Sequence, residues 1–373
     1  MSNDMDDDTY HALALARVPG VGPRTWSRLM AAFGGPEAVF RAGRSALRSL
    51  GLDATTEAGI LAPDWAAARA DARWLDDPGA RHLLRLARPG YPGQLAEIPD
   101  PPPLLFVAGD PATLHHPQVA IVGSRHATAA GRDLAHDLAA GLARAGVATT
   151  SGLATGIDAA AHRGALEAGG TTLAVVGTGP DRIYPARHRR LHARILASGA
   201  VLGELPPGCG PLAAHFPRRN RIVSGLSLGV VVVQAGRHSG SLITARLAAE
   251  QGREVFAVPG SIHDPLARGC HALLREGAKL VESVDDILEE LPGTVGSAPV
   301  NAPSDSTSPA ADPDEARILA ALGHDPLTLD TLQQRSGLTL DRLSSILLTM
   351  ELKGLVTAIP GGRYQRRGPE GLR

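Results

Sequence analysis

Lysine is nearly absent from this chain. Only Lys279 and Lys353 occur, so 35 of the 37 basic residues are arginine. With so much Ala, Gly and Pro this points to a GC-rich coding bias, and an arginine carries weight here by its position rather than by its abundance. Neither lysine follows a glycine, which excludes a Walker-type phosphate loop. Cysteine is scarce as well: Cys209 and Cys270 stand alone, without CxxC or Cys/His zinc spacing. A reduced, cytosolic chain is the reading this favours. No apolar run approaches the ~20 residues of a membrane span. The opening "MSNDMDDDTY" is acidic and lacks an apolar stretch, so no signal peptide is expected. The formal net charge is −1, with no global bias toward either sign.

What is present is a core and a pattern. Hydrophobic residues make up 43% of 373, enough for two or three domains. Residues 1–8 read as a disordered acidic tail. Residues 9–82 read as an N-terminal helical domain, with turn signals at "VPGVGP" (18–23) and "FGGP" (33–36). The proline-rich stretch 88–111 makes a poor helix. From residue 118 strand-sized runs alternate with helical segments: "QVAIVG" (118–123), "VATTSG" (147–152), "TTLAVVG" (171–177), "AVLGEL" (200–205), "LGVVVVQ" (228–234) and "REVFAVPG" (253–260). Uniformly apolar strands between helices predict a parallel sheet covered on both faces, a doubly wound, extended Rossmann-like α/β domain over 83–291. Residues 292–313 have linker composition. Residues 314–373 predict helices and a Gly-Gly hairpin, a winged-helix-like unit.

In such a sheet, ligands belong at the C-terminal strand ends. There the chain places Gly/Ser turns leading into helices. "VGSR" offers Gly123, Ser124 and Arg125; "SGLATG" offers Ser151 and Gly152; "RHSGSLIT" offers Ser239, Gly240, Ser241 and Thr244. Free N–H groups and the positive dipole end at a helix start make each an anion site. A basic stretch after the third strand includes Arg187, and "FPRRNRIVSGLS" sets Arg218, Arg219 and Arg221 around Asn220. Asp158 and His162 lie i,i+4 but lack a third ligand, so capping and packing suit them better than a metal. Tyr184 could stack a base or wedge the turn before Pro185. "GLSLG" (225–229) matches a nucleophile elbow, but with the helix before the serine and the strand after, the reverse of what the elbow needs. Anion binding with no nucleophile and base in sight points to a binding protein, without metal or cofactor.

These stretches, with "GTGPDRIYP" (177–185) and "REGAKLVES" (275–283), resemble the DprA/Smf family of DNA-processing proteins across nearly the whole α/β domain. Gln234, His238, His271 and Pro180 depart from the commoner family residues. The resemblance implies a non-enzymatic mediator that binds and shields single-stranded DNA, helps load the RecA recombinase as in natural transformation, and forms a homodimer through the Rossmann-like domain. It implies a DNA site of Gly123, Ser124 and Arg125 with Arg218, Arg219, Asn220 and Arg221, Ser239, Gly240 and Ser241 being neighbours. Aromatics at 3% argue against extended base stacking and for phosphate capture.

"LARVPGVGPRTWSRLMAAFG" (15–34) resembles a helix-hairpin-helix (SAM-like) unit, and 11–50 hold six arginines against one acid, Glu37. The C-terminal helix 339–354 mixes Asp341 and Glu351 with Arg342 and Lys353, which suits protein contact at least as well as a DNA groove. The alternative reading is a Rossmann-like nucleotide phosphoribohydrolase-type enzyme. It would need a catalytic glutamate; Gln234 ends the relevant strand, and Glu204 is the nearest other acid.

Overall fold

The computed structural model describes residues 7–76, 79–291, 313–322 and 326–366. It divides into two units, 1–298 and 299–373.

The first unit opens with six helices, α1 (Asp7–Ala16), α2 (Pro23–Phe33), α3 (Pro36–Arg41), α4 (Arg44–Ser49), α5 (Ala54–Leu61) and α6 (Trp65–Asp76). Prolines start α2 and α3, where a missing N–H costs nothing, and Asp53 caps α5 by accepting from Thr55 N and Thr56 N. Leu13, Leu15, Trp26, Leu29, Val39, Leu47 and Ile60 form their core. Asp7 and Asp8 lie in α1, and Asp8 pairs with Arg85 at 2.7 Å and Arg88 at 2.6 Å. The expected acidic tail therefore does not reach residue 8; its residues 1–6 lie outside the described residues.

Nine strands follow: β1 (Arg81–Arg85), β2 (Leu104–Gly109), β3 (Gln118–Val122), β4 (Ala148–Ser151), β5 (Thr172–Val175), β6 (Ala200–Gly203), β7 (Gly229–Val232), β8 (Glu254–Ala257) and β9 (Lys279–Leu280). They form one sheet in the order β1-β2-β6-β5-β4-β3-β7-β8-β9. The seven from β6 to β9 pair in parallel, while β1 and β2 add antiparallel pairings at one side. The sheet is thus mostly parallel rather than wholly so. β2 lies within the stretch 88–111, where the prolines before it hide an apolar run, "LLFVAG". β1 also straddles the expected boundary at residues 82 and 83.

Eight helices complete this unit: α7 (Gly93–Ala96), α8 (Ala129–Arg144), α9 (Ile157–Glu167), α10 (Arg189–Ser198), α11 (His215–Leu226), α12 (Gly240–Glu250), α13 (Arg268–Arg275) and α14 (Val284–Glu289). Strand side chains alternate between the two faces. Ala120, Val122, Val230 and Val232 pack with α7, α11, α12 and α13; Val119, Ile121, Val231 and Val233 pack with α8, α9 and α14. Each fully buried Val, Leu or Ile contributes roughly 1.5–3 kcal/mol, so the apolar side chains of β3 and β7 fix these strands in register by their burial. From β3 the chain winds one way to β6, then restarts at β7 on the other side. A crevice therefore opens at the carboxyl ends of β3 and β7.

The second unit contains α15 (Pro313–Leu322), β10 (Leu327–Thr328), α16 (Leu329–Ser336), α17 (Leu340–Leu352), β11 (Val356–Ile359) and β12 (Arg363–Arg366). Its three-stranded sheet, in the order β10-β12-β11, and its core of Ile318, Leu332, Leu343, Leu347 and Met350 make it a winged helix. Of the expected linker, 292–312 lie outside the described residues, and Pro313 already begins α15. Among the described residues no helix is long and apolar enough to cross a membrane.

Candidate nucleic-acid interface

The crevice is an open cleft of about 990 Å³. Its floor is built from the turns after β3, β4 and β7. After β3, Ser124 N donates to Gln234 O at 2.6 Å, and Ser124 Oγ accepts from His126 N at 3.1 Å, which curls the loop and turns Arg125 outward. Gly156 supports that loop from below at φ 79°; a Cβ there would fall 2.2 Å from Ser124 O. After β7, Ser239 caps α12 by accepting from Ser241 N, and the two serine hydroxyls lie 2.7 Å apart.

The other wall is the N-terminal half of α11. Arg219 is 5% exposed. It donates through Nη1 to Gly152 O at 2.8 Å and to Val175 O, and through Nε to Asn220 Oδ1 at 3.3 Å. Gly152 is glycine because a Cβ there would strike this guanidinium at 2.5 Å. Asn220 completes the bridge, donating Nδ2 to Gly240 O at 3.3 Å at the start of α12. Burial pulls the Arg219 guanidinium downward, with the charge of Asp158 opposing that pull, yet an arginine keeps its charge wherever the fold survives. Asp158 is buried beneath the floor, accepting from Ala154 N at 3.3 Å, and burial raises its carboxyl. Among the described residues Arg219 makes no ion pair.

Of the residues singled out in the sequence, Gly123, Ser124, Arg125, Gly152, Arg219, Asn220, Ser239, Gly240, Ser241 and Thr244 all line the cleft. Four do not. Ser151 is fully buried and donates to Ile121 O at 2.6 Å. Arg187 is exposed and does not line the cleft. Arg218 and Arg221 turn away and grip one carboxylate, Glu204. Arg221 meets Glu204 at 2.7 and 3.1 Å and Arg218 meets it at 2.9 and 3.2 Å, while Arg221 Nε also reaches Asp100 O at 3.0 Å. Both Glu204 oxygens are thereby occupied. Gln234 is likewise committed: its amide accepts from Thr128 N and donates to Thr128 Oγ1, both at 3.0 Å, tying down the start of α8. Asp158 and His162 Nδ1 have separate hydrogen-bond partners. His162 Nδ1 lies 2.7 Å from the Thr172 hydroxyl, whose single proton goes to Thr149 O, so Nδ1 carries the ring proton. Among the described residues no group of three His, Cys, Asp or Glu side chains could hold a metal.

Beside Tyr184, which the sequence offered as a ring to stack a base or wedge a turn, the cleft contains residues that the sequence reading passed over. Arg237 and Arg268 line it, as do Phe216 and Tyr184. The Phe216 and Tyr184 rings lie 5.5 Å apart, and the Arg125 guanidinium sits 5.6 Å over the Phe216 ring. Tyr184 is 46% exposed at the cleft. Arg237 adjoins a motif already in view and Phe216 opens "FPRRNR"; Arg268 lies apart from every strand-end turn and gives no such signal. The lining thus has four arginines, Arg125, Arg219, Arg237 and Arg268, against one carboxylate, Asp158.

Comparison with known proteins agrees with this architecture. A family model described as DNA recombination-mediator protein A matches residues 82–292. Models described as a DprA winged helix domain and a DprA-like N-terminal HHH domain match 302–362 and 6–50. Protein Smf of Escherichia coli is 43% identical over 299 residues, 79% of either chain. The DNA processing protein DprA of Streptococcus pneumoniae is 50% identical over 200 residues, 54% of this chain and 71% of its own. The crystal structure of the pneumococcal protein superposes with a TM-score of 0.67 at 38% identity, covering 77% of this chain and 99% of that one. A structure of DNA processing protein A from Helicobacter pylori, described for its single-stranded DNA binding mode, gives 0.53 at 29% identity over 59% of this chain and 99% of that one. With its helix-hairpin-helix start, its mostly parallel sheet and its winged helix all matched in order, the chain belongs to the DprA/Smf family of DNA recombination mediators.

Proposed function

We propose that the cleft binds the backbone of single-stranded DNA without regard to sequence, and that the protein acts by binding rather than by catalysis. One observation carries this: four arginines and two helix starts converge on an open cleft with a single carboxylate, in a chain whose net charge is −1. Arginine forks and helix N-termini suit phosphate oxygens, which carry no sequence information. The Phe216–Tyr184 pair at the mouth adds a small stacking surface that every base satisfies. The relative from Helicobacter pylori, described for single-stranded DNA binding, supports the choice of ligand. Membership in a family of recombination mediators supports the further step, loading RecA onto the bound strand. A homodimer through the sheet domain is consistent with the open edge at β9, where Leu280 is 49% exposed. No observation favours nucleotide hydrolysis, because Glu204 is held by two guanidinium groups.

The test is fluorescence anisotropy with labelled oligo-dT and a matching duplex across a salt series. Tight single-strand preference with a negative salt slope is the expected result. No binding at low salt, or cleavage of nucleoside monophosphates, overturns the reading. RecA filament nucleation on the same oligonucleotide, with and without the protein, tests the loading step.

A further inference from the structure

The rim of the cleft is not built by the sheet domain alone. Between β6 and α11 runs the loop 204–214, and its outer residues Pro211 and Ala213 line the cleft. Beyond Glu204, which Arg218 and Arg221 hold, the inner half of the loop is held by three contacts. Gly208 N donates to Asp181 Oδ1 at 2.8 Å, and Gly179 N donates to Cys209 O at 2.9 Å. The third comes from the N-terminal helical domain: Arg17 Nη2 donates to Pro207 O at 3.2 Å. Arg17 is itself fixed by a two-point pair with Asp71 of α6, at 2.8 and 2.5 Å, and Asp71 is 1% exposed. The hydrogen bond to Asp71 raises the Arg17 guanidinium, while burial raises the Asp71 carboxyl, so the staple weakens only on the acid side as Asp71 takes up a proton.

Two features carry this hold outward. Pro206 and Pro207 at the staple and Pro211 at the rim fix their own φ angles, and between them Gly208 and Cys209 are held by their bonds to Asp181 and Gly179. At the far end, α11 starts after Ala214 with no capping side chain, and its Arg218 and Arg221 grip Glu204, the first residue of the loop, which ties the helix to it. α11 is the helix that presents Phe216, Arg219 and Asn220 to the cleft.

We propose that Arg17, anchored by Asp71, is a positioning residue of the DNA cleft: from the helical domain it holds the 204–214 loop and thereby sets the rim and the entry of α11. This rests on the single-stranded DNA reading above. Arg17 acts through the loop and touches no phosphate itself.

The test uses the full chain and two readouts. Cys209 sits half-buried in the loop, whereas Cys270 is fully buried, so thiol alkylation reports on Cys209. Arg17→Lys keeps the positive charge beside Asp71 and near the thiol but lacks the fork that reaches Pro207. Alkylation of Arg17→Lys should be faster by about threefold or more as the loop opens. Oligo-dT affinity should fall roughly three- to tenfold, the worth of one hydrogen bond, with the salt slope unchanged. Arg17→Gln/Asp71→Asn leaves no buried charge and should show both effects more strongly. Wild-type alkylation and affinity in both variants overturn the proposal. So does a salt slope reduced by about one, which would make Arg17 a phosphate contact. If the wild type itself fails to bind oligo-dT, the functional reading fails, while the alkylation arm still decides whether Arg17 holds the loop.

Discussion

Two residues apart on α11, Arg219 and Arg221 are both buried, and they do opposite things with their charge. Arg221 spends it on a carboxylate: with Arg218 it encloses Glu204 on the side of the helix turned from the cleft. Arg219 points into the cleft and is held by neutral acceptors only, the carbonyls of Gly152 and Val175 and the amide of Asn220. Its geometry is fixed while its charge stays uncancelled. One face of the helix is a structural fastener and the other an anion site. The residue type is the same, and the partner decides the role.

That contrast can be broken by experiment. The largest effect is expected from Arg221→Met, which leaves Glu204 buried with one partner fewer and should cost about 3–5 kcal/mol in denaturant unfolding. The oligo-dT salt slope of the folded protein should not change; a reduced slope would put Arg221 on the DNA side. Next comes acid. Burial, and after it the charges of His188 and Arg219, lower His162 to about 3. The unfolded chain binds that proton near pH 6.5, so stability is intact above 6.5 and declines as pH falls toward 3. By pH 4 the loss should be roughly 3 kcal/mol, and His162→Asn, whose amide can still donate to Thr172, should flatten this limb of the pH–stability curve.

Arg125→Ala should reverse the Arg221 result. Arg125 is exposed and, among the described residues, its side chain makes no ion pair and only a ring contact with Phe216, so stability should hold within about 0.5–1 kcal/mol. Oligo-dT binding should weaken by about 1.5–3 kcal/mol, with a salt slope smaller by about one. Unchanged binding would move the site away from the cleft. The smallest effect is expected for Ser239→Ala, which removes the cap of α12 and should cost about 1 kcal/mol of stability with a modest loss of affinity.

The sequence was legible where burial or backbone chemistry leaves a local trace. Six strand-sized runs foretold six strands, because a strand covered on both faces takes small or apolar side chains, and even the Thr149, Thr150 and Ser151 of β4 are fully buried. Gly/Ser turns at their ends foretold the cleft floor, because close backbone approach and capping demand those residues. The partner of each side chain was not legible. Whether Arg218, Arg219 or Arg221 met Glu204 depended on how α11 is rotated against β6, which "PRRNR" does not encode locally. Arg268 was invisible for a similar reason: only the fold brings the start of α13 beside β7. β2 was hidden by the prolines that precede it, and β9, two residues long, carries too short a pattern to read.

β2 itself has a consequence for how such a chain can be cut or recombined. Leu105 and Val107 face the core of the sheet domain, while Leu104 and Phe106, at 2% and 1% exposure, belong to the core of the helical domain. A single strand is the shared wall of two interiors. A shortened descendant lacking the first eighty residues would present a phenylalanine and a leucine to water and would need new residues at both positions. The seam between the two domains therefore runs through the side chains of one strand, and an inheritance that shuffles these modules has to edit that strand as well.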